Sequence, residues 1–260
     1  MQIITSFSYS DLMMTDKNIM EANPNKELCF DFHIHSKFSY DSLLSPKRIV
    51  RVAKKRGLDG IAITDHDTIK GALEASKFND SIYVIIGSEI RTEKGDVIGL
   101  FLNEEITSKY FDEVVDEIKS QGGLVVLPHP YKKNMMDIPN ELLDKVDLIE
   151  VLNGRLSPEL NHKAQILARN NNIPIIGGSD AHISTSIGSV KTIFNCEKYV
   201  IQNDEDIKQL LLKGDAKVTG KVSPRYVHYF SATVGNVRRG NFLQLGKLFI
   251  KISHLRRKYE

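Results

Sequence analysis

The sequence predicts an α/β protein in which repeated strand-then-helix units form a closed barrel. Short runs rich in Val, Ile and Leu alternate along the chain with segments of helical period, and these are the signatures of strands and helices. Six of the apolar runs end in residue types that bind metals. These residues are His33 and His35, Asp65 and His66, Glu89, His129, Glu150, and Asp180 and His182. The carboxyl ends of barrel strands meet at one mouth, so the pattern indicates a multinuclear metallohydrolase.

The composition is typical of a globular protein. With 260 residues, of which 41% are hydrophobic and 26% charged, the chain is long enough for one barrel domain with appendages. It contains no apolar stretch that could cross a bilayer, and its first residues lack the pattern of a secretory signal. Cys29 and Cys196 match no paired metal motif, which favours reduced thiols. We therefore expect a cytoplasmic protein without a transmembrane segment.

Three segments are predicted along the chain. Residues 1–27 mix polar residues without a clear period and predict an N-terminal extension, residues 28–223 form the barrel domain, and residues 224–260 form a basic, partly helical C-terminal extension. The cationic residues of this last segment are Arg225, Arg238, Arg239, Lys247, Lys251, Arg256, Arg257 and Lys258, and Glu260 alone opposes them.

The first half of the barrel domain has clear local signals. Ser45 is a helix cap with Pro46 at the first helical position, and Gly57 ends that helix. A short hairpin is expected around residues 93–96. The other predicted elements are strands from Leu28 to His35, Leu58 to Thr64 and Ile82 to Ile86, and a helix from Thr68 to Ala75.

The second half repeats the same unit. Thr107 or Ser108 can cap a helix that reaches Ser120, and two glycines then release the chain into a strand before His129. The remaining predicted strands run from Asp147 to Leu152, Ile173 to Ile176 and Val190 to Phe194, and the remaining helices from Asn140 to Lys145, Ser157 to Asn170 and Asp204 to Leu212.

The first histidine pair has the spacing of a chelating pair. Side chains of a strand alternate with a period of two, so His33 and His35 lie on the same face and can share one metal. Asp180 and His182 repeat this spacing. In the segment from Thr64 to Asp67, His66 is the candidate ligand, whereas Asp67 has the position of a helix cap.

Two further candidates stand alone. Glu89 follows a turn of small residues and could bridge two cations, and His129 lies between two prolines that fix its backbone. His162, His228 and His254 fall on helical or tail positions and are interpreted as structural or surface groups.

These motifs together resemble the PHP (polymerase and histidinol phosphatase) superfamily of metal-dependent phosphoesterases. The matching pieces, in the order of the family, are DFHIHSKFSYDS, GLDGIAITDHDTI, GSEI, LPHP, IEVLNGR and GGSDAH, and they cover about residues 28 to 195. The resemblance implies a distorted seven-stranded (β/α) barrel with two or three divalent metal ions at the strand ends. Mn, Fe and Zn are the metals common in the family.

The resemblance also implies ligands for each ion. His33, His35, Glu89 and Asp180 would hold one metal, Glu89 with His129 would hold a second, and His66 with His182 would belong to a third. Asp41 is offset by one position from the acidic residue of the family. It would reach the third metal if its loop bulges, and would cap the local turn otherwise. Glu150 is either a strand-end ligand or a structural carboxylate.

The resemblance implies hydrolysis of a phosphate monoester, or of a nucleotide or nucleic-acid phosphoester, by metal-activated water. Asp65 or His182 could transfer protons, and Arg155, Lys132 or Tyr131 could bind the substrate phosphate. Two alternatives remain open. One is an amidohydrolase-type barrel that cleaves C–N bonds, and the other is a regulatory domain that has lost catalysis.

The basic C-terminal extension has two interpretations. Its apolar residues interleave with cations between Phe242 and Lys258, which is compatible with an amphipathic helix packed on the barrel. Alternatively, it is an electrostatic guide for polyanions such as RNA ends, or for an anionic membrane surface.

Overall fold

The computed structural model describes residues 27–78, 82–132, 138–195 and 201–248 of the 260-residue chain. The strands are β1 (Glu27–Ile34), β2 (Gly60–His66), β3 (Tyr83–Thr92), β4 (Gly95–Leu100), β5 (Leu124–Leu127), β6 (Leu148–Asn153), β7 (Ile175–Gly178), β8 (Val190–Asn195) and β9 (Lys217–Gly220). The helices are α1 (Pro46–Lys55), α2 (Lys70–Ala75), α3 (Phe111–Ser120), α4 (Asn140–Leu143), α5 (Pro158–Asn171), α6 (Asp204–Lys213) and α7 (Arg225–Arg238).

All these strands form one sheet that closes almost completely on itself. Their order is β7-β6-β5-β4-β3-β2-β1-β8-β9, and β4, β8 and β9 run antiparallel to the strands they pair with. The sheet closes where Ile34, at the end of β1, forms a parallel bridge with Ala181, just after β7. There, the His35 amide donates a hydrogen bond of 2.9 Å to the Ala181 carbonyl. The α/β prediction is confirmed, with a nearly closed barrel-like sheet.

The predicted number of seven strands is wrong, because the described residues form a sheet of nine. The sequence predicts a hairpin turn at the point where β4 returns antiparallel to β3. It predicts neither β4 itself nor β9. The β9 strand is short and mostly exposed, so it has no apolar run to reveal it. Pairing with β8, not burial, makes it a strand.

The structure has two of the three side-chain caps that the sequence predicts. Ser45 caps α1 and Ser157 caps α5, each with proline at the next position. The third case differs from the prediction that Thr107 or Ser108 caps α3. Instead, the amide of Phe111 donates to Glu93 in the β3–β4 turn, at 2.8 Å. A distant side chain therefore replaces the local cap.

A bulge in β1 decides which of its side chains face the barrel interior. In the pairing with β2, Asp31 lies opposite Ile61 and Ile34 lies opposite Ile63, so β1 contains one extra residue over this span. Such a residue reverses the alternation of side chains. Phe32 therefore packs in the inner core, and His33 also faces inward above it.

Two apolar cores lie on the two faces of the sheet. The inner core fills the barrel and includes side chains of α6, whereas the outer core packs the sheet against α1, α2 and α3. In the inner core, the rings of Phe30 and Phe32 stack at 5.5 Å and Phe194 meets Phe30 edge to face. This packing fills the barrel below the mouth, so polar chemistry is confined to the strand ends.

Some predicted features lie outside the described residues. These are the N-terminal extension up to residue 26, Cys196, His254 and the tail cations Lys251, Arg256, Arg257 and Lys258. The division at residues 27 and 223 stays a prediction. Among the described residues, no helix combines the length and the apolar character needed to cross a bilayer.

Gly60 gives a test of the inner core. A Cβ at this position would lie 2.0 Å from the ring of Phe30, which is fully buried. Gly60→Ala is expected to lower the free energy of unfolding by about 1–3 kcal/mol, because the core has no room to relax around an added methyl group. Urea unfolding followed by circular dichroism measures this change. Gly246→Ala is the control, since its Cβ would meet nothing within 4 Å; equal stability of both variants would contradict the described packing.

Candidate metal centre

The side chains predicted to bind metal converge at the mouth of the barrel. They form overlapping groups in which the potential ligand atoms lie within 4.8 Å of one another. The groups are His35, Asp41, His66 and His182; His33, His35 and Glu89; His33, His129 and Asp180; and Glu89, Asp96 and His129. Every predicted ligand falls in at least one group, and Asp96 of β4 is an addition that sequence analysis missed.

The four residues predicted to share one metal lie around one point. The Nε2 atoms of His33 and His35 are 3.0 Å apart, and Glu89 Oε2 is 3.4 Å and 3.3 Å from them, respectively. Asp180 Oδ1 lies 3.4 Å from His35 Nε2. Two imidazole nitrogens that face each other at this distance need a proton or a cation between them, because their lone pairs would otherwise repel.

Two oxygen atoms indicate that the site suits cations. Among the described residues, Glu89 Oε2 and Asp41 Oδ1 are buried without a hydrogen-bond partner. A buried carboxylate oxygen without a partner loses the hydrogen bonds that it had in water, which is costly. Oxygen and imidazole ligands in this arrangement fit Mn, Fe or Zn ions, and a cation would satisfy both oxygens.

The third predicted group contains Asp41. Its Oδ2 atom lies 3.0 Å from His182 Nε2 and 3.5 Å from His66 Nε2. The rings of His35 and His182 are 4.3 Å apart between centroids. Of the two alternatives for Asp41, this geometry matches the one in which its loop brings the carboxylate to the ligands.

Glu150 forms hydrogen bonds with candidate metal ligands and is not itself in a ligand group. Its Oε1 atom lies 3.0 Å from His33 Nδ1, and its Oε2 atom accepts hydrogen bonds from the His129 amide at 2.7 Å and from Asn153 at 3.0 Å. Carboxylates that hold the second nitrogen of a metal-binding histidine fix the orientation and the tautomer of its ring. The structural alternative for Glu150 therefore matches the geometry.

Asp65 also has a supporting position, which differs from its predicted role in proton transfer. It accepts hydrogen bonds from the Ser36 amide at 2.6 Å and from the Ser39 hydroxyl at 2.7 Å. The Ser39 hydroxyl in turn lies 3.0 Å from His35 Nδ1. Because both carboxylate oxygens serve the loop after β1, Asp65 orients His35 and has no oxygen directed at a substrate.

Asp31 is a buried site residue that sequence analysis missed. It accepts hydrogen bonds from the Ser179 amide at 2.8 Å, the Ser179 hydroxyl at 2.6 Å and the Gly188 amide at 2.7 Å. Burial raises the pKa of this carboxyl to about 6. The signal was an acidic residue inside the apolar run that precedes His33, and its role is to hold the closure between β1 and the segment after β7.

The electrostatics of the centre favour cation binding. Burial raises the pKa of Asp180, but Lys132 and Arg155 outweigh this effect and hold it well below its usual range. Burial likewise opposes ionisation of Glu89, whose pKa is nevertheless well below normal because of the charge of His66 and the hydrogen bond between Glu89 Oε1 and His129. Burial and the charge of Arg155 lower the pKa of His182 to about 4. Burial lowers the pKa of His33 and of His35, but the neighbouring carboxylates outweigh it and raise the pKa of His33 well above its usual range and that of His35 to about 9. Metals bind ionised carboxylates and neutral imidazoles, so a divalent cation would replace the protons on these two rings.

Of the three residues predicted to bind phosphate, two lie beside the ligand groups and one does not. Arg155 Nη1 lies 3.4 Å from Asp180 Oδ1, and Lys132 Nζ lies 3.7 Å from Asp180 Oδ2. Both cations therefore border the ligand groups. Tyr131 instead packs against the outer core, with Lys163 6.0 Å from its ring centroid, which gives no support to its predicted contact with phosphate.

The two described histidines that were predicted to be structural or surface groups have different surroundings. His162 is exposed on α5, as expected for a surface group. His228 of α7 is half-buried, and burial together with the nearby charge of Arg155 lowers its pKa. His228 belongs to none of the ligand groups, which agrees with its interpretation as a structural or surface group, although α7 brings it near Arg155 at the mouth.

Two protein families match parts of this chain. The PHP domain family matches residues 31–174, and the PHP-associated family matches residues 158–215. The chain is 33% identical over 241 residues to uncharacterized protein MJ0417 of Methanocaldococcus jannaschii, an alignment that covers 80% of this chain and 97% of the relative. It is 42% identical over 138 residues to MJ1587 of the same organism, covering 48% and 81%, respectively.

Two solved structures share the fold. One is a two-domain protein of Bacteroides vulgatus described as containing a predicted PHP-like metal-dependent phosphoesterase. It has a TM-score of 0.65 and 21% identity, and the match covers 84% of this chain and 72% of that one. The other is PsfC of Pseudomonas syringae, with a TM-score of 0.59, 16% identity and coverage of 83% and 99%. At these identities the likeness concerns the fold.

Substitution of single ligands tests the centre. His33→Ala and Asp180→Ala are each expected to weaken metal binding by more than the roughly 10- to 100-fold that loss of an orienting contact causes, because each removes a ligand. Elemental analysis of the purified variants measures the metal content, and circular dichroism checks that they are folded. His162→Ala on the exposed face of α5 is the matched control; folded ligand variants with the metal content of this control would contradict the site.

Proposed function

This chain belongs to the PHP domain family, as its motifs predicted, and we propose that it is a metal-dependent phosphoesterase. The observation that carries the proposal is the convergence of imidazoles and carboxylates on the unpartnered Glu89 Oε2 atom, within 3.2–3.4 Å of nitrogen atoms of His33, His35 and His66. A buried anion surrounded by metal ligands has the chemistry of a bridging carboxylate.

We propose that two or three divalent ions bind at these groups. His33, His35, Glu89 and Asp180 would hold one ion, and Glu89 with His129 would hold another, since Glu89 Oε1 lies 2.8 Å from His129 Nε2. The third group would be His66, His182 and Asp41. Imidazole and carboxylate ligands that are shared in this way suit Mn, Fe or Zn. The chemistry that such ions supply is activation of water near neutral pH and neutralisation of charge on phosphate oxygens.

Arg155 and Lys132 would bind the phosphate through its nonbridging oxygens. A guanidinium matches two phosphate oxygens at once, whereas a lysine acts as a compact charge. The side chain of Arg155 is 14% exposed and that of Lys132 is 35% exposed, while the inner ligands are almost fully buried. A phosphate group would therefore enter on the side of these two cations.

Of the two candidates for proton transfer, we propose His182. Asp65 would instead be a positioning residue. The His182 ring lies 3.0 Å from Asp41 through Nε2 and 2.9 Å from the Asp180 carbonyl through Nδ1. The ring is neutral at pH 7, so its Nε2 atom could accept a proton while no ion occupies the third group, whereas Asp65 is occupied by its loop. Proposed substrates are phosphate monoesters of small molecules and phosphoesters of nucleotides or nucleic-acid ends.

Removal of metal tests the proposed activity. Chelation is expected to abolish hydrolysis of phosphoesters, because the proposed nucleophile is water activated by the bound ions, and added Mn²⁺ is expected to restore it. The assay is a panel of sugar phosphates, histidinol phosphate, nucleotides and short RNA, combined with elemental analysis. Arg155→Ala should lower kcat/KM by about 10²- to 10³-fold while the protein keeps its metal, since a charge at the reacting phosphate is lost.

Other outcomes would identify the alternatives. Hydrolysis of C–N bonds without phosphatase activity would favour an amidohydrolase. A protein that binds metal tightly and hydrolyses no member of the panel would favour a regulatory domain. Full activity after complete removal of metal would contradict the proposal.

The basic C-terminal extension bears on whether nucleic-acid ends are substrates. Within the described part of the chain, α7 docks on the barrel through buried Val227 and Ser231, but Phe242 and Leu243 are 72% and 84% exposed. These two side chains therefore do not pack on the barrel, and most of the segment for which an amphipathic helix was predicted lies outside the described residues. Exposed apolar and cationic side chains together remain compatible with a guide for polyanions.

Truncation after Gly240 tests the guide hypothesis without removing α7. The shortened chain is expected to hydrolyse small phosphate monoesters as the full chain does, because the contacts of α7 with the mouth remain. If the tail guides polyanions, hydrolysis of 5′-phosphorylated RNA falls and its salt dependence becomes less steep. Both chains are compared on both substrates across a salt series; an unchanged salt dependence for RNA would rule out the guide.

A further inference from the structure

Helix α7 supplies a contact to Arg155 that is independent of the metal ligands. Arg155 Nη1 lies near Asp180 and His182, but its Nη2 atom donates a hydrogen bond of 2.7 Å to the Ser231 hydroxyl of α7. The Arg155 Nε atom is buried and has no hydrogen-bond partner among the described residues. The guanidinium is thus held by the metal-ligand candidates at Nη1 and by α7 at Nη2.

The Ser231 hydroxyl is itself well ordered by its surroundings. It is 1% exposed, and it donates to the His228 carbonyl one turn earlier at 3.2 Å while it accepts from Arg155. A hydroxyl that both donates and accepts has a defined direction. Ser231 therefore fixes where the far end of Arg155 lies.

The helix that carries Ser231 is held at both of its ends. Just before α7, the Ser223 amide donates to the Gly154 carbonyl at 2.6 Å, next to Arg155. At its other end, Arg238 donates to the carbonyls of Lys37 and Ser39 at 3.1 Å and 2.8 Å. The helix therefore spans the mouth from the loop after β6 to the loop after β1.

The middle of α7 also lies close to the ligands. A Cβ on Gly235 would lie 3.1 Å from Asp41 Cβ, so glycine permits this approach. Because α7 is anchored on both sides of the mouth, the position of Ser231 relative to the metal centre is well defined.

The attraction between Arg155 and Asp180 changes when a cation binds. Asp180 is a proposed ligand, and a cation on its carboxylate would offset the negative charge that attracts the guanidinium. The hydrogen bond to the neutral Ser231 does not depend on that charge. It would therefore still hold the Nη2 end of Arg155 in the state that binds phosphate.

We propose that Ser231 is a positioning residue for the phosphate-binding guanidinium of Arg155, so that a helix beyond the matched family segments sets the affinity of the centre for phosphate. The inference rests on the proposed phosphoesterase function. It assigns a specific role to α7, because Ser231 would act only through Arg155.

Ser231→Ala tests this role, with Thr233→Val as the matched control on the same helix. The Thr233 hydroxyl donates to the Tyr229 carbonyl within α7, so its loss should leave Arg155 unaffected. Ser231→Ala is expected to weaken binding of inorganic phosphate to the Mn²⁺-loaded protein by roughly tenfold, as loss of a hydrogen bond to a charged group does. Isothermal titration calorimetry measures this affinity, and elemental analysis should show unchanged metal content.

Further variants separate positioning from general stability. Ser231→Thr keeps the hydroxyl and should restore phosphate affinity, and KM for a small phosphate monoester should rise more than kcat falls in Ser231→Ala. In the background of Arg155→Ala, the change at Ser231 should have no further effect on phosphate affinity. If Ser231→Ala does not fold, Ser231→Cys provides the weaker acceptor at similar size.

Each result decides between specific outcomes. Wild-type phosphate affinity in folded Ser231→Ala or Ser231→Cys would overturn the proposal, as would equal losses in the Thr233→Val control or additive losses with Arg155→Ala. If the protein hydrolyses no phosphoester but Ser231 variants still bind phosphate more weakly, the phosphoesterase proposal fails and the positioning role stands. If hydrolysis is efficient and the Ser231 variants match wild type, only the positioning role fails.

Discussion

The extra residue in β1 is the constraint on which the metal centre depends. In a regular strand, Phe32 and Ile34 would share the inner face, and His33 and His35 would point away from it. The bulge reverses the alternation between Phe32 and His33, as the shifted register against β2 shows. The same strand can therefore fill the barrel with an aromatic ring and present two imidazoles at its mouth. It then closes the sheet through the Ile34–Ala181 bridge.

Five of the buried carboxylates near this strand divide into two kinds. Asp31, Asp65 and Glu150 use both oxygens to hold loops, amides or histidine rings in place. Glu89 and Asp41 instead keep a buried oxygen without a hydrogen-bond partner. An unpaired buried acceptor costs about 1–3 kcal/mol. The arrangement thus places that cost at the proposed ligands, where a bound cation would offset it and stabilise the folded protein.

Helix α7 extends the centre beyond the segment that the family comparisons match. The PHP-associated match ends at residue 215, whereas Ser231 touches Arg155 and Gly235 lies against Asp41. Two barrel loops and the tail segment therefore share one wall of the mouth. A centre built in this way can keep its inner ligands while the outer wall changes the fit of the substrate.

The sequence by itself determined the order of the helices and of the strands other than β4 and β9, the caps at Ser45 and Ser157, and the ligand types at the strand ends, because these depend on local pattern and residue chemistry. Only the tertiary structure decided the antiparallel β4, the short β9, the bulge in β1 and the return of α7 to the mouth. It also separated Glu150 and Asp65 from the ligand groups. The reason is that a carboxylate's role depends on which distant donors occupy its oxygens: Asp31 meets Ser179 across 148 residues of chain. Local periodicity carries no information about such partners.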